Sequence, residues 1–469
     1  MDPRRPGTEP KPEAVTDLVA RLRDGCEHGW SRPLSWRRAQ LDRMRTMLVE
    51  REQELLDALA ADVGKPALEA WITDLRIVGA EIEHMQKHLA AWTRPEKVSI
   101  PLAQRPGSAR IVREPLGVVL VIAPWNYPVH LLLLPMAAAI AAGNCVIGKP
   151  SELTPTVSAT LARIVPQYLD ERCVAVVEGG VPETTELLAE RFDHILYTGN
   201  GTVGRVVMEA AAKHLTPVTL ELGGKSPVIV AADANIAVAG RRIAWGKFLN
   251  AGQTCVAPDY VLVDARVEHQ LIDAIQQAVT EFYGADPRTS PDYARVVNDR
   301  HFNRLTALID GSEGQVVVGG ERDAAARYLA PTVVRGPSTE APIMQDEIFG
   351  PVLPVLAVDD VDTAIDFVTE RDKPLALYLF SGSKETERRV MDRTSSGGMV
   401  VNHVMMHLGV PDLPFGGVGP SGMGAYHGRQ SIDTFSHRRS VLTKPTRPDP
   451  KFAYPPYTKI KEAIIRRFL

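Results

Sequence analysis

The chain is poor in cysteine, and the four cysteines among its 469 residues form no CxxC pair. They are Cys26, Cys145, Cys173 and Cys255, and their wide spacing counts against a disulfide framework or a zinc cluster. The twelve histidines contain no HExxH or similar ligand pair, so no metal site is expected. Low cysteine content without a framework fits a reducing compartment, and we predict a cytoplasmic protein.

An excess of positive charge is also lacking, because 53 lysines and arginines face 57 acidic residues and leave a formal net charge of −4. That balance gives no support to nucleic acid as a partner. No transmembrane segment is expected, since the amphipathic residues 459–469 are too short to cross a bilayer; they would cap the fold or lie on a membrane surface. Residues 1–12 lack the apolar core of a secretory signal.

The organisation of the chain follows from its length and its apolar periodicity. With 45% apolar residues, 469 residues are too many for one hydrophobic core. Residues 95–115 are rich in Pro, Gly and Ser, which predicts an extended excursion or hairpin. Residues 12–92 have a helical period, with an apolar stripe at Leu41, Met44, Met47, Leu48, Leu55, Leu56 and Leu59.

Beyond residue 116, short apolar runs alternate with helical patterns. Continuous apolar strands that alternate with helices are typical of a parallel, doubly wound sheet. We therefore predict an α/β fold of two such domains with an extended flap. The predicted strands are 117–123, 145–148, 174–178, 194–198 and 218–222 in a first set, and 226–230, 260–263, 315–318 and 352–358 in a second.

Cys255 and Glu221 are the residues that point to chemistry. Small residues precede Cys255 in the sequence NAGQTC and leave its sulfur approachable. Glu221 lies at the end of an apolar strand, where the cost of desolvating a carboxylate raises its pKa toward that of a useful base. A thiol nucleophile with a separate carboxylate base is typical of a covalent intermediate that is later hydrolysed. We interpret Cys26, Cys145 and Cys173 as structural.

Two glycine-rich segments suggest nucleotide binding. Residues 143–150, GNCVIGKP, nearly match a triphosphate-binding loop, but Pro150 offers neither a hydroxyl nor an N–H, so we reject a nucleoside triphosphatase. Residues 199–204, GNGTVG, match the GxGxxG of a dinucleotide-binding turn, and Glu221 follows Gly204 by 17 residues. That spacing also suits an acid that binds a cofactor ribose, so the residues alone leave two roles open for Glu221.

Seven short motifs occur in order along the chain. They are PWNYP at 124–128, GKPSE at 148–152, YTGN at 197–200, LELGGK at 220–225, GQTC at 252–255, EIFGP at 347–351 and PFGG at 414–417. Together they resemble the NAD(P)-dependent aldehyde dehydrogenase superfamily over about residues 15–440. Further segments resemble its class 3 branch, namely KHLTPVT at 213–219, GMGAYHG at 422–428, FSHRRS at 435–440 and YPPY at 454–457.

The resemblance implies a homodimeric enzyme that oxidises medium-chain, long-chain or aromatic aldehydes to carboxylic acids. Two alternatives are an enzyme that passes the acyl group to coenzyme A or phosphate, and a non-enzymatic binding protein on the same scaffold. Acyl-transferring relatives generally lack the base glutamate. The implied division is a dinucleotide-binding domain at 1–94, 117–222 and 412–430, a catalytic domain at 223–411, an oligomerisation segment at 95–116 and 431–445, and a C-terminal tail at 446–469.

The catalytic roles implied by the resemblance fall on three residues. Cys255, as thiolate, would attack the aldehyde carbon to give a thiohemiacetal. The side-chain amide of Asn126 and the backbone N–H of Cys255 would hold the developing oxyanion. Glu221 would then activate the water that hydrolyses the thioester, which favours the base role over the ribose role.

The resemblance also implies how the cofactor is held. Because Glu152 can accept a hydrogen bond from a free 2′-hydroxyl and repels a 2′-phosphate, which Lys149 partly offsets, NAD is expected to be preferred and NADP tolerated. The implied contacts are Lys149 and Glu152 at the adenosine ribose, Trp125 and Asn200 near the pyrophosphate beside the turn of Gly199 and Gly204, and Glu347 and Phe349 at the nicotinamide ribose.

Overall fold

The computed structural model describes residues 13–468, which form a helical N-terminal segment, two large sheets flanked by helices, and a small antiparallel sheet. The prediction that residues 1–12 are not a secretory signal falls outside that range. The α/β fold class predicted from alternating apolar runs and helical patterns is confirmed. Strands and helices are numbered below in chain order.

The N-terminal segment is helical, as the periodicity predicts, and most of the apolar stripe is buried, from Leu41 to Leu59. The helical path is interrupted at Gly64, which adopts a left-handed φ of 61°, and at Pro66. The helices are α1 (Val15–Glu27), α2 (Leu34–Glu50), α3 (Glu52–Val63), α4 (Ala67–Ala70) and α5 (Ile77–Trp92), with a π-helical turn at Trp71–Arg76 before the last.

The predicted extended excursion is an antiparallel three-stranded sheet. Its strands are β1 (Glu96–Val98), β2 (Ser108–Pro115) and β18 (Ser436–Thr443), and β2 is the middle strand. The pairing of β2 with β18 runs from Ser108 opposite Thr443 to Pro115 opposite Ser436. Two segments far apart in sequence therefore form one flap, and the outer edge of β18 carries mostly exposed side chains.

The first large sheet contains the first set of predicted strands. Its strands are β3 (Val118–Ile122), β4 (Cys145–Lys149), β5 (Val174–Val176), β6 (His194–Thr198), β7 (Val218–Glu221) and the short β17 (Gly422–Met423). They lie in the order β17-β7-β6-β3-β4-β5, and all pairs are parallel except β17 with β7. The flanking helices are α6 (His130–Ala142), α7 (Pro155–Tyr168), α8 (Val181–Ala189), α9 (Gly201–Ala212) and, near the flap, α16 (Gly428–Thr434).

The second large sheet has seven strands, three more than the sequence patterns indicated. Its order is β10 (Gln315–Val318), β13 (Thr332–Arg335), β14 (Val352–Val358), β9 (Tyr260–Asp264), β8 (Pro227–Val230), β15 (Ala376–Phe380) and β16 (Gly398–Val401). Only β10 in this sheet pairs antiparallel, which departs from the all-parallel expectation. Its helices are α10 (Ile236–Phe248), α11 (Glu268–Tyr283), α12 (Asp299–Asp310), α13 (Pro342–Gln345), α14 (Val361–Thr369) and α15 (Lys384–Arg393), and a side hairpin joins β11 (Arg322–Asp323) to β12 (Tyr328–Leu329).

The end of the described chain is an exposed tail. It contains a short helical turn at Lys451–Ala453 and the helix α17 (Lys459–Phe468). Across residues 13–468, no helix combines the length and the apolarity that crossing a membrane requires. The domain boundaries given above remain predictions.

Candidate active site

The predicted site residues lie where parallel strands of the first sheet end. Parallel strands present their carboxyl ends on one edge of the sheet. After β3 the next strand, β4, lies on one side of it, whereas the later strand β6 lies on its other side. Such a switch point opens a crevice for a ligand. At that edge, Trp125 and Asn126 follow β3, and Glu221 ends β7. Lys149 ends β4, and Glu152 lies three residues beyond it. Gly199 and Asn200 follow β6, and Gly204 is in α9.

The loop that carries Cys255 has an unusual backbone conformation. Three consecutive residues after α10 have left-handed conformations, with φ of 51° at Asn250, 50° at Ala251 and 72° at Gly252. A side chain at Gly252 is excluded, because its Cβ would lie 2.2 Å from the carbonyl oxygen of Gly350. Strained residues of this kind persist only where the surroundings hold them, and they cluster at functional sites.

Side chains from elsewhere in the fold hold this loop. The Gln253 amide donates to the carbonyls of Asn250 (3.0 Å) and Arg295 (2.9 Å), and its Oε1 accepts from the N–H of Val297 at 2.9 Å. The carboxylate of Glu69 accepts the N–H of Asn250 at 2.8 Å. The loop is therefore a pre-formed support for the half-buried Cys255 that follows it.

The thiol of Cys255 lies in a water-poor, acidic environment. Burial raises its pKa to about 12, and the nearby carboxylates of Glu347 and Glu221 act in the same direction. The N–H groups of Cys255 itself and of Val256 oppose the shift in pKa, because they stabilise negative charge on the sulfur. The structure thus brings the predicted nucleophile together with the predicted base and with Glu347.

Glu221 is a buried acid without a hydrogen-bond partner. Its side chain is 2% exposed, and neither carboxylate oxygen has a partner among residues 13–468. Burial raises the pKa of its carboxyl well above the usual range. Buried polar atoms are normally satisfied, so an unpartnered carboxylate in a crevice indicates a ligand or water as its partner.

Asn126 is held firmly beside the catalytic loop. Its Nδ2 donates to the carbonyl of Gln253 at 3.0 Å, and its own carbonyl accepts from Asn250 Nδ2 at 3.0 Å. A second bond to that carbonyl comes from Lys65 Nζ at 3.0 Å. The side chain is 2% exposed, its Oδ1 has no hydrogen-bond partner among the described residues, and its Nδ2 has a second hydrogen to donate.

A buried ion pair that the sequence patterns did not reveal lies under Asn126. Lys65 Nζ is 2.7 Å from Asp74 Oδ2, and both side chains are fully buried. The ammonium lies 4.0 Å from the ring centroid of Tyr127, whose hydroxyl is 2.6 Å from Thr254 Oγ1. The pair therefore supports Asn126 directly and the residue before Cys255 through Tyr127. In sequence, Lys65 and Asp74 are ordinary charges within a helical region, and only the break at Gly64 marks the place.

The residues predicted to hold a dinucleotide fit that group. Lys149 Nζ donates to the carbonyl of Pro150 at 2.8 Å and lies 3.6 Å from Glu152 Oε2, so a donor and an acceptor sit side by side, as vicinal ribose hydroxyls require. Asn200 caps α9 by accepting the N–H of Val203 at 3.0 Å, and the first turn of that twelve-residue helix offers N–H groups to a phosphate.

At the other end of this crevice, Glu347 and Phe349 are close to the catalytic loop. Burial raises the pKa of the Glu347 carboxyl to about 8, and the N–H of Gly224 opposes that shift. A Cβ on Gly223 would lie 2.0 Å from Glu347 Oε2, so Gly223 leaves room for the carboxylate. Phe349 has a left-handed φ of 47°, and its ring is 5.3 Å from that of Trp125.

The GxGxxG turn is joined to the strand that carries Glu221. The N–H of Gly199 donates to the backbone carbonyl of Glu221 at 2.9 Å. A Cβ on Gly204 would be 3.0 Å from Leu222, so this glycine lets α9 pack closely on the sheet. The glycines thus set the spacing of helix and strand, and the Glu221 side chain points into the environment of Cys255, which favours the base role.

Comparison with known proteins places this site in context. The model of the aldehyde dehydrogenase family matches residues 9–441. The chain is 51% identical over 455 residues to aldehyde dehydrogenase family 3 member A2 of Mus musculus, covering 96% of this chain and 93% of that protein. It is 49% identical over 444 residues to the dimeric NADP-preferring aldehyde dehydrogenase of Canis lupus familiaris, covering 94% and 98%.

A solved structure agrees closely with this fold. The substrate-bound state of Staphylococcus aureus AldH matches with a TM-score of 0.95 at 43% identity, over 97% of this chain and 100% of that chain. The family model and the relatives that cover nearly the whole chain are aldehyde dehydrogenases, so the chain is an oxidoreductase that acts on aldehydes. The chain belongs to the aldehyde dehydrogenase family. Its relatives at about half identity are family 3 members, which confirms the class 3 branch.

Replacing Lys65 with methionine should leave Asp74 buried and uncompensated, which costs about 3–5 kcal/mol. It should also lower kcat, because the carbonyl of Asn126 loses a donor. The double variant Lys65→Met/Asp74→Asn should recover much of the stability but not kcat. Calorimetry and steady-state kinetics measure both, with Lys87→Met on the exposed face of α5 as control. A double variant no more stable than the single one would contradict this electrostatic explanation.

Proposed function

We propose that the chain oxidises aldehydes to carboxylic acids through covalent intermediates on Cys255, with NAD or NADP as the hydride acceptor. The observation that carries the proposal is the Glu221 carboxylate. It is buried without a partner among the described residues and lies near enough to Cys255 for its charge to act on the thiol. A base placed beside a nucleophile but separate from it suits a reaction that first forms and then hydrolyses an acyl-enzyme.

The first step makes a bond from the Cys255 sulfur to the aldehyde carbon. Because the pKa of the thiol is raised, the thiol must give its proton to a base before it attacks. The carbonyl oxygen becomes an alkoxide, which Asn126 Nδ2 and the N–H of Cys255 would hold. Loss of one such donor typically costs about 10²–10³ in rate. The rigid bonds of Asn126 to the loop mean that this donor needs no reorganisation.

A bound nicotinamide dinucleotide supplies the hydride acceptor for the thiohemiacetal. Lys149 and Glu152 would hold the adenosine ribose, Asn200 and Trp125 would border the pyrophosphate, and Glu347 with Phe349 would hold the nicotinamide ribose beside Cys255. These assignments rest on the crevice that the strand ends form and on the donor and acceptor pairs described above. Loss of hydride from the tetrahedral carbon leaves an acyl group on Cys255 as a thioester.

Glu221 completes the reaction by taking a proton from water. The hydroxide adds to the thioester, the Cys255 sulfur leaves, and the acid is released. The raised pKa of the carboxyl makes its conjugate base stronger than an exposed carboxylate, as this step requires. The presence of Glu221 favours hydrolysis over transfer of the acyl group to coenzyme A or phosphate.

The substrates that we propose are medium-chain, long-chain or aromatic aldehydes. The segment after β16 packs on α10, the helix that leads into the loop before Cys255, with the His403 ring 5.8 Å from that of Trp245. A Cβ on Gly246 would lie 2.3 Å from Val404, so helix and segment are in close contact. Apolar and aromatic surface next to the nucleophile loop suits an apolar substrate.

The variant Glu221→Gln should form the acyl-enzyme but fail to hydrolyse it. Mixing it with NAD and an aldehyde should give a burst of about one NADH per active site, followed by very slow turnover. Stopped-flow absorbance measures the burst, and wild-type deacylation should accelerate as pH rises through the raised pKa of Glu221. Normal turnover by the variant with only a weaker affinity for NAD would instead indicate that Glu221 binds the cofactor ribose.

NAD should be the preferred cofactor, with NADP tolerated. Removing the charge in Glu152→Gln should raise kcat/KM for NADP relative to NAD by about tenfold, since 1.4 kcal/mol of relieved repulsion has that effect. Steady-state kinetics with both cofactors checks this, and Glu186→Gln on the exposed part of α8 is the matched control. A strong NADP preference in the wild-type chain would count against the role of Glu152.

The chain should be a homodimer, with the flap of β1, β2 and β18 at the interface. The outer edge of β18 is eight residues long, and an unpaired edge of this length is a liability that association removes. Multi-angle light scattering at micromolar concentration should give twice the 51.3 kDa mass of the chain. A mass of one chain that persists as the protein is concentrated would refute the prediction.

A further inference from the structure

Three of the four cysteines lie near the start of β4 and β5, at the end of the first sheet opposite to the candidate active site. Cys26 is in the last turn of α1, Cys145 begins β4 and Cys173 precedes β5. The backbone N–H of Cys145 donates to Cys26 Sγ at 3.3 Å. The thiols of Cys173 and Cys26 lie near enough to the Cys145 thiol to raise its pKa. Cys26 and Cys145, which are 119 positions apart in sequence, are therefore direct neighbours in the fold.

Within this trio, Cys26 differs from the other two in its access to solvent. Cys145 and Cys173 are fully buried, whereas Cys26 is half-buried. Cys26 lines a surface cavity of about 160 Å³ together with Arg23, Arg32 and other residues around the end of α1. A small molecule in this cavity can therefore reach the sulfur of Cys26, whereas the buried sulfur of Cys145 is not directly accessible.

Neighbouring groups lower the pKa of the Cys26 thiol, which in its protonated form donates to the carbonyl of Gly117 at 3.0 Å. The hydrogen bond from the Cys145 thiol lowers the pKa of Cys26, and the N–H of Cys145 and the Ser31 hydroxyl act in the same direction. Burial and the charge of Asp193 oppose the shift, although Asp193 is itself paired with Arg23 at 3.0 Å. Low pKa, access to solvent and a second thiol in contact are the features of cysteines that react with oxidants.

We propose that Cys26 and Cys145 are a hydroperoxide-reactive thiol pair that is separate from the aldehyde site. The Cys26 sulfur attacks the outer oxygen of a hydroperoxide, the O–O bond breaks, and the departing alkoxide takes a proton from solvent. Cys26 is then a sulfenic acid. The Cys145 sulfur attacks the Cys26 sulfur, and the hydroxyl leaves as water with the Cys145 proton. Two thiols are oxidised to one disulfide, and one hydroperoxide is reduced to an alcohol, or to water if it is hydrogen peroxide.

The proposed disulfide joins Cys26 to the cysteine whose backbone N–H its sulfur accepts. Cys173 also lies near Cys145, and its sulfur is beside Gly25, so Cys173 is the alternative partner that the experiment must distinguish. The disulfide would join α1 to β4, the strand that ends at Lys149. Cys145 thereby protects Cys26 from oxidation beyond the sulfenic acid, which a lone thiol would not escape.

Site-resolved mapping tests the pair on the full chain. Reduced protein is treated with hydrogen peroxide or tert-butyl hydroperoxide, alkylated with N-ethylmaleimide and digested with trypsin without reduction. The three cysteines fall in separate tryptic peptides, because Arg113 lies between Cys26 and Cys145 and Arg172 lies between Cys145 and Cys173. Mass spectrometry should show the peptide of Cys26 linked to that of Cys145, with Cys173 alkylatable once the protein is unfolded.

Three variants decide the roles. Cys145→Ser should stop at a sulfenic acid on Cys26 that dimedone traps, Cys26→Ser should leave Cys145 reduced, and the matched control Cys173→Ser should still form the disulfide. Cys26→Ser should keep wild-type aldehyde turnover under reducing conditions, which reports that the fold is intact. If Cys145→Ser does not fold, the wild-type map and the other two variants still decide. A Cys26 that stays reduced while Cys255 is oxidised, or a link from Cys26 to Cys173, would overturn the proposal.

Discussion

The buried ion pair between Lys65 and Asp74 is the interaction on which the geometry of the site depends. Lys65 binds the carbonyl of Asn126, and Asp74 accepts the N–H of His130 at the start of α6. The pair thus joins the helical N-terminal segment to the loop after β3. Each buried charge is stabilised by the other, so moving either side chain away would leave an unpaired buried charge, at a large cost in free energy. Asn126 is held in place by this pair, and so is the loop before Cys255 to which Asn126 is hydrogen-bonded.

The site contains three acidic side chains whose negatively charged forms are disfavoured. The pKa values of Cys255, Glu221 and Glu347 are all raised, chiefly because each group is buried, and for Cys255 the two carboxylates add to the effect. Titratable groups with raised pKa values that are clustered in a crevice are characteristic of functional sites. The Glu221 oxygens have no hydrogen-bond partner among the described residues and so keep their lone pairs for water or a ligand.

Two cysteines of this chain have opposite environments. Cys255 is surrounded by carboxylates and buried surface, so its thiolate forms only when a base takes the proton. Cys26 accepts hydrogen bonds at the end of a helix and opens to a cavity with arginines, so its thiolate is favoured. The sequence predicts Cys255 as the nucleophile and interprets Cys26 as structural, and it contains no sign of the neighbours that lower the pKa of Cys26. The pKa of a thiol depends on neighbours from distant segments, which no local motif encodes.

Local patterns in the sequence determined the class of fold, the strands of the first sheet and the identity of Cys255, Glu221 and Asn126 as candidates. They did so because apolar periodicity and short motifs are properties of neighbouring residues. Three strands of the second sheet, the antiparallel edge at β10 and the support from Lys65, Asp74 and Glu69 required the tertiary structure. Each depends on pairing or burial across large separations in the chain, where a charge such as Lys65 looks like any solvated lysine until the fold encloses it.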